Sequence, residues 1–289
     1  MSEMQQFVDL CENEFENQLD AFVKNGLLAE NFKFIILSGP TCSGKTTVAK
    51  KIKGELKNKN KKLFYVSIDD FFHEISAERN IDAEVDFESI NAIDLELFKT
   101  FLSDISENRK TKVPRFDFLT RRRSFYVDVD PAEIDIFLFE GIQATYPEIT
   151  ALLTYERCLS VYISTGEGIT VGDKVFDPNE IRLMRRIVRD HFYRDSNAEY
   201  TFFLWKDVRK NEEINIFPNV KNCDIILNST MGYEINMLSG YLKELLEAVP
   251  VDSIYRKGSE ELLEKIGGIE AMPKSLLPEN SMYFEFLKR

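Results

Sequence analysis

The chain has 289 residues and carries 37 basic against 49 acidic side chains, a net charge of −12. Sequence-independent affinity for nucleic acid comes from Lys and Arg neutralising phosphates, so this balance argues against a DNA- or RNA-coating protein. At 44% hydrophobic and 30% charged residues the composition suits a globular protein of one large or two small domains, and no stretch reaches the roughly 20 apolar residues that span a bilayer.

Residues 1–31 carry Phe7, Leu10, Cys11, Phe15, Leu19, Phe22 and Val23 at three- and four-residue spacing, which predicts one amphipathic N-terminal helix with Gly26 as its C-terminal cap. The start, Met1-Ser2-Glu3-Met4-Gln5-Gln6, lacks the basic and apolar regions of a signal peptide, so a cytoplasmic location without a membrane partner is expected. The run 32–37 is short, aromatic and β-branched and ends at Ser38-Gly39-Pro40, as a buried strand entering a turn would. A helix is predicted over 45–56, a strand over 63–67, a helix over 92–105 and strands over 134–139 and 159–163. Helices over 178–193 and 199–208, a strand over 224–227 and a helix over 233–248 follow. Strands alternating with helices predict an α/β fold with a mostly parallel sheet. A boundary is expected near Pro250, dividing the main domain, 32–250, from a C-terminal tail, 251–289, with a short helix near 260–266. Cys11, Cys42, Cys158 and Cys223 form no C-x-x-C pair, and with only His73 and His191 beside them they suggest neither a zinc site nor a disulfide framework.

Gly39-Pro40-Thr41-Cys42-Ser43-Gly44-Lys45-Thr46 matches G-x-x-x-x-G-K-[ST] between a predicted strand and a predicted helix, the context this phosphate loop requires. Its glycines let the backbone wrap a phosphate, so that N–H groups and the helix N-terminus face negative charge. Lys45 would reach the β/γ-phosphates and the Thr46 hydroxyl a Mg²⁺ ion, with Thr47 adjoining. The loop points to a nucleoside triphosphate, a plain glycine turn being the alternative.

Neither the N-K-x-D motif of GTPases nor the L-S-G-G-Q signature of transport ATPases is present. Ser67-Ile68-Asp69-Asp70-Phe71-Phe72 instead places two carboxylates at the C-terminal end of the second strand, where ligands of open α/β sheets bind. A carboxylate there can accept the proton of an attacking hydroxyl, or it can simply cap a helix. Glu140 ends the otherwise apolar third strand, and burying that charge needs a partner such as Mg²⁺. Arg182, Arg185, Arg186 and Arg189 share one helical face, with Arg194 close behind. Such a cluster suits phosphate oxygens and charge developing on a transferring phosphoryl group, while a solvated or acid-paired face is the other reading. Of the 15 arginines, 11 lie between Arg109 and Arg194, which marks a local anion site on an acidic background.

Six ordered segments resemble the uridine kinase and phosphoribulokinase family over residues 32–250. They are the phosphate loop, Ser67 to Phe72, Asp86 to Asp94, Pro114-Arg115-Phe116-Asp117-Phe118, Glu140-Gly141-Ile142 and Arg185-Arg186-Ile187-Val188-Arg189-Asp190. Asp86-Phe87-Glu88-Ser89, Trp205 to Val208, Ile216-Phe217-Pro218 and Asn228-Ser229 further resemble the bacterial uridine-kinase-like branch often joined to threonyl-tRNA-synthetase-type modules. The resemblance implies a P-loop NTPase-type three-layer fold with an Arg-rich lid helix, use of ATP and Mg²⁺, and a homo-oligomer. It implies Asp69 as catalytic base, Lys45, Thr46 and Glu140 at the phosphates and Mg²⁺, with Asp69 near the metal, and Asp86 on the ribose hydroxyls. Phe116 and Phe118 would flank a nucleobase, although two phenylalanines near a proline suit a core equally well. Arg186, Arg189 and Arg194 would close over the phosphates, with Arg185 beside them. Phe72 and Phe116 stand where uridine kinases usually have tyrosine, and Arg121 stands near the position of a base-reading histidine.

The expected activity is transfer of the ATP γ-phosphoryl to the 5′-hydroxyl of a pyrimidine ribonucleoside, uridine or cytidine. Two alternatives remain at this point: another acceptor such as a sugar phosphate, anchored by Arg121, and an ATP-binding regulatory or RNA-associated protein with little turnover. Trp205, the single tryptophan, is expected to pack between helices.

Overall fold

The computed structural model describes residues 2–28, 30–74, 87–118, 120–153 and 157–289; Asp86, expected at the ribose, lies outside them. Five strands form the central sheet: β1 (Phe34–Ser38), β2 (Leu63–Ser67), β5 (Ile136–Glu140), β6 (Cys158–Ser164) and β9 (Ile225–Asn228), in the order β2-β5-β1-β6-β9 and all parallel. Every residue of β1 is buried, as expected where helices cover both faces of a parallel sheet. Alternation along the strand divides the core. Ile35 and Leu37 face the cluster that includes Val48 and Ile52 of α2 (Lys45–Asn58), while Phe34 and Ile36 join Phe98 and Phe101 of α3 (Leu95–Ser106) on the other face. Phe34 meets Phe139 edge-on at 5.4 Å between centroids. Burying rings of this size contributes about 1.5–3 kcal/mol each.

Two hairpins that the sequence reading did not anticipate project from this frame: β3 (Thr111–Asp117) with β4 (Arg122–Val129), and β7 (Ile169–Val171) with β8 (Lys174–Phe176). The remaining helices are α1 (Glu3–Ala21), α4 (Pro147–Thr150), α5 (Pro178–Arg194), α6 (Ala198–Asn211), α7 (Phe217–Val220), α8 (Glu234–Glu247) and α9 (Arg256–Ile266). Asp177 starts α5 with a capping box: its carboxylate accepts from the Asn179 and Glu180 amides, and the Glu180 side chain accepts from the Asp177 amide.

The N-terminal stripe is narrower than its spacing suggested. Val8, Cys11, Phe15 and Leu19 are buried, whereas Phe7 and Leu10 are exposed. Gly26 is no C-cap; it falls inside a π-helical turn, Phe22–Leu27, where a Cβ would lie 2.7 Å from Ile225 Cδ1. The helix needs glycine there to approach β9.

The C-terminal segment folds back onto the body. Met272, Leu277, Met282, Tyr283, Phe286 and Leu287 are buried in the same core as α1, α2 and α8. Ser281 and Tyr233 both donate to Glu12 Oε1, at 2.5 and 2.6 Å. Among the described residues no helix is long and apolar enough to cross a membrane.

Candidate active site

Sheet register gathers the site. Leu37 of β1 and Ser67 of β2 both pair with Glu140 at the end of β5. The phosphate loop, which starts two residues after Leu37, and Asp69, two residues after Ser67, therefore flank Glu140 at the carboxyl edge. A cavity of about 1070 Å³ opens there, lined by loop residues 41–47, Asp69, Glu140, Arg189 and Arg194.

The loop is shaped for a close ligand. A Cβ on Gly39 would lie 2.1 Å from the Ile163 carbonyl oxygen, and Gly44 adopts φ +95° against Met282, so neither position admits a side chain. Cys42 also adopts a left-handed conformation, φ 59°. Among the described residues the Ser43 hydroxyl is buried without a hydrogen-bond partner, as expected of a donor reserved for a phosphate oxygen. Lys45 Nζ turns back onto the carbonyls of Gly39 and Pro40, at 2.9 and 3.1 Å, and stands 4.0 Å from Glu140 Oε1.

The two aspartates after β2 diverge. Asp69 faces the cavity, and burial together with the Glu140 charge, opposed by Lys45, pushes its carboxyl up to about 7. Asp70 is buried, accepting from the Phe116 amide at 3.0 Å and pairing with Arg115, so it fastens the β3–β4 hairpin to the end of β2. Glu140 accepts a 2.7 Å bond from the Tyr65 hydroxyl, which fixes its orientation. Asp69, Glu140 and the Thr46 hydroxyl are oxygen donors of the kind that suits Mg²⁺, which takes one or two carboxylates together with substrate phosphates. Among the described residues no group of three or more His, Cys, Asp or Glu is arranged to hold a metal ion.

The arginines of α5 divide into two sets, only one of which lines the cavity. Arg182 forks onto Glu212, with both contacts at 2.5 Å, and its guanidinium lies 5.3 Å from the centre of the half-buried Trp205 ring. Arg185, expected at the nucleotide, is fully buried. Its five N–H groups go to Glu234, to Ser229 and to the Cys42 carbonyl, leaving none for a ligand. Arg186 is also buried, bonded to Asp190 at 3.3 Å, and does not line the cavity. Arg189 and Arg194 do line it, and Arg189 reaches the Thr41 hydroxyl at 3.2 Å. Arg186, Arg189 and Arg194 all share the one carboxylate of Asp190, which leaves a surplus of positive charge beside the loop.

A family model described as "Phosphoribulokinase / Uridine kinase family" matches residues 34–235. The chain belongs to that family. As a member it is a kinase, a phosphotransferase with an alcohol group as acceptor. Its similar relatives include "Uridine-cytidine kinase B" of Dictyostelium discoideum, 28% identical over 197 residues, which are 67% of this chain and 74% of that one. "Uridine kinase" of Ureaplasma urealyticum is 24% identical over 66% of this chain and 85% of its own length. In fold the chain resembles the structure called "a Possible Uridine Kinase from Bacillus stearothermophilus", with TM-score 0.50, 17% identity, and coverage of 74% of this chain and 100% of that one.

The family segment around Pro114 lies on the β3–β4 hairpin. Phe116, half-buried, and Phe118, exposed, form an aromatic group with Phe72 and Phe87, with centroids 5.1–6.2 Å apart. Arg121 is exposed at the hairpin turn with φ 54° and does not reach the cavity of the phosphate loop. Sequence reasoning missed Tyr65, the carboxylates Glu212 and Glu234, and the C-terminal residues that form one cavity wall, among them Phe284, Glu285 and Arg289. The first could have been found from its position two residues before Ser67; the others are brought in from distant segments.

Proposed function

We propose that the protein transfers the γ-phosphoryl group of ATP to the 5′-hydroxyl of a pyrimidine ribonucleoside, uridine or cytidine. The observation that carries this reading is the position of Asp69, a carboxyl that faces the cavity beside the phosphate loop and Glu140 and that burial pushes up to about 7. A group titrating near neutrality is well matched to accept a proton from an alcohol. Asp69 takes the proton of the 5′-hydroxyl as its oxygen bonds to the γ-phosphorus and the bond from that phosphorus to the ADP oxygen breaks. Lys45 leaves the Gly39 and Pro40 carbonyls to hold the β- and γ-phosphates, against the amides of residues 41–47. Thr46 and Glu140, with Asp69, would hold Mg²⁺, which would supply neutralisation of phosphate charge. Arg189 and Arg194 stabilise charge on the transferring group, and Arg186 anchors Asp190 between them.

The names of the relatives support a nucleoside acceptor, as does the aromatic group at the hairpin. Phe116 and Phe118 offer faces and edges to a planar base rather than donors to a sugar phosphate. Asp86 is proposed for the ribose hydroxyls from the family resemblance alone, and Arg121 for the base site because it stands near the position of that family's base-reading histidine. The test is ADP release in the presence of Mg²⁺ across a panel of ribonucleosides, deoxynucleosides and sugar phosphates. Stimulation by uridine or cytidine is expected. Stimulation only by a phosphorylated sugar would overturn the acceptor, and no stimulation by any compound would overturn the kinase reading for this panel.

A further inference from the structure

The C-terminal segment reaches the helix that follows the phosphate loop. Glu285, at the end of the turn Met282–Glu285, accepts from both the backbone amide and the hydroxyl of Thr47. Thr47 is the third residue of α2, so its amide belongs to the first turn, whose N–H groups have no partner within the helix. The helix dipole and these free donors make this end an anion position, and in a phosphate loop the amides here cradle the α- and β-phosphates while the lysine reaches the β and γ. A carboxylate on the Thr47 donors therefore occupies the place of the phosphate nearest the nucleoside.

The segment bearing Glu285 is firmly seated. Met282 packs on Gly44, where a Cβ would lie 2.4 Å from its sulfur. Tyr283 donates to Glu234, the carboxylate that also holds Arg185, and Ser281 donates to Glu12. The Arg289 guanidinium lies 5.1 Å from the centre of the Phe284 ring, and both residues line the cavity.

We propose that Glu285 is an internal competitor for nucleotide: in the free protein its carboxylate holds the Thr47 donors that the α-phosphate takes in the complex. Nucleotide binding then displaces the 281–289 segment from the start of α2. This inference rests on the nucleotide-binding part of the proposed function and adds a self-inhibiting contact to it.

The test is calorimetric titration of the full chain with MgADP, for wild type, Glu285→Ala and Glu285→Asp. The aspartate variant keeps the charge but falls one methylene short. Both variants should bind about ten-fold or more tightly than wild type, the scale of one lost charge-assisted hydrogen bond. In wild type, amide hydrogen exchange across 281–289 should quicken on adding MgADP, a readout that needs no variant to fold. Equal or weaker binding by the alanine variant, a gain confined to alanine, or slower exchange in wild type would each overturn the competitor. Wild type that binds MgADP without these changes leaves the kinase reading standing; failure of every form to bind MgADP removes both.

Discussion

The Arg185 guanidinium donates a 3.1 Å hydrogen bond to the carbonyl of Cys42, in the middle of the phosphate loop. A carbonyl held from behind points away from the cavity, which leaves the neighbouring amides to face it. Arg182 does the same to the Thr41 carbonyl at 3.4 Å. These arginines thus act on a phosphate indirectly, by setting the loop's polarity.

Replacing Arg185 with Met leaves Glu234 buried without its cation, and breaking a buried pair costs about 3–5 kcal/mol. Urea unfolding should show a loss on that scale. The double variant Arg185→Met/Glu234→Met should recover most of the stability but not nucleotide affinity, since the Cys42 carbonyl still lacks its donor. Wild-type affinity in the double variant would show that the arginine serves only to neutralise Glu234.

Asp69→Asn keeps size and removes the proposed base. Acceptor-dependent turnover is expected to fall by about 10²–10⁴ with ATP affinity nearly unchanged. Steady-state kinetics beside equilibrium nucleotide binding separates the two, and undiminished turnover would take Asp69 out of the reaction.

Glu12 gives a pH dependence of stability. Burial raises its carboxyl above the ordinary 4.5, against the pull of the Ser281 and Tyr233 hydroxyls. The folded state therefore binds the proton more tightly than the unfolded chain does. The associated stability is fully present below the unfolded pKa and is lost as pH rises through the folded one. Glu12→Gln cannot ionise, so its stability relative to wild type should grow as pH rises from about 4.5 through the folded pKa. Urea midpoints at stepped pH check this, and an advantage that shrinks with pH would contradict it.

Phe116→Ala should raise KM for the proposed nucleoside acceptor about ten-fold, the scale of one lost base–aromatic contact, and leave KM for ATP in place. An equal rise in both would mean that the ring supports the hairpin rather than the acceptor.

Much of this arrangement was legible because its signals are local. The apolar run at 34–37 and the glycines at 39 and 44 define a strand, a turn and a helix start within a dozen residues. Glu140 was visible as one charge ending an apolar strand. The β3–β4 hairpin was hidden because Pro114 and the run Arg121-Arg122-Arg123 interrupt its apolar alternation, which shows only at Phe125, Val127 and Val129. For the arginines of α5 the sequence leaves an anion site and an acid-paired face both open, because Glu212 and Glu234, which occupy two of them, lie 30 and 49 residues away. Asp69 and Asp70 look alike in the sequence; only the Arg115 pairing and the Phe116 amide separate a fastening carboxylate from one that faces the cavity.

Gln5 bonds the Leu276 carbonyl across 271 residues, and Glu12 meets Ser281 across 269. These contacts close almost the whole chain into one loop, at an entropic cost of about 5 kcal/mol on the logarithmic scale. Burial of Met282, Tyr283, Phe286 and Leu287 in the core shared with α1, α2 and α8 offsets that cost. The wall that carries Glu285 is thereby joined to the first helix of the chain, so shifting it from the start of α2 would also strain the Glu12 and Gln5 contacts.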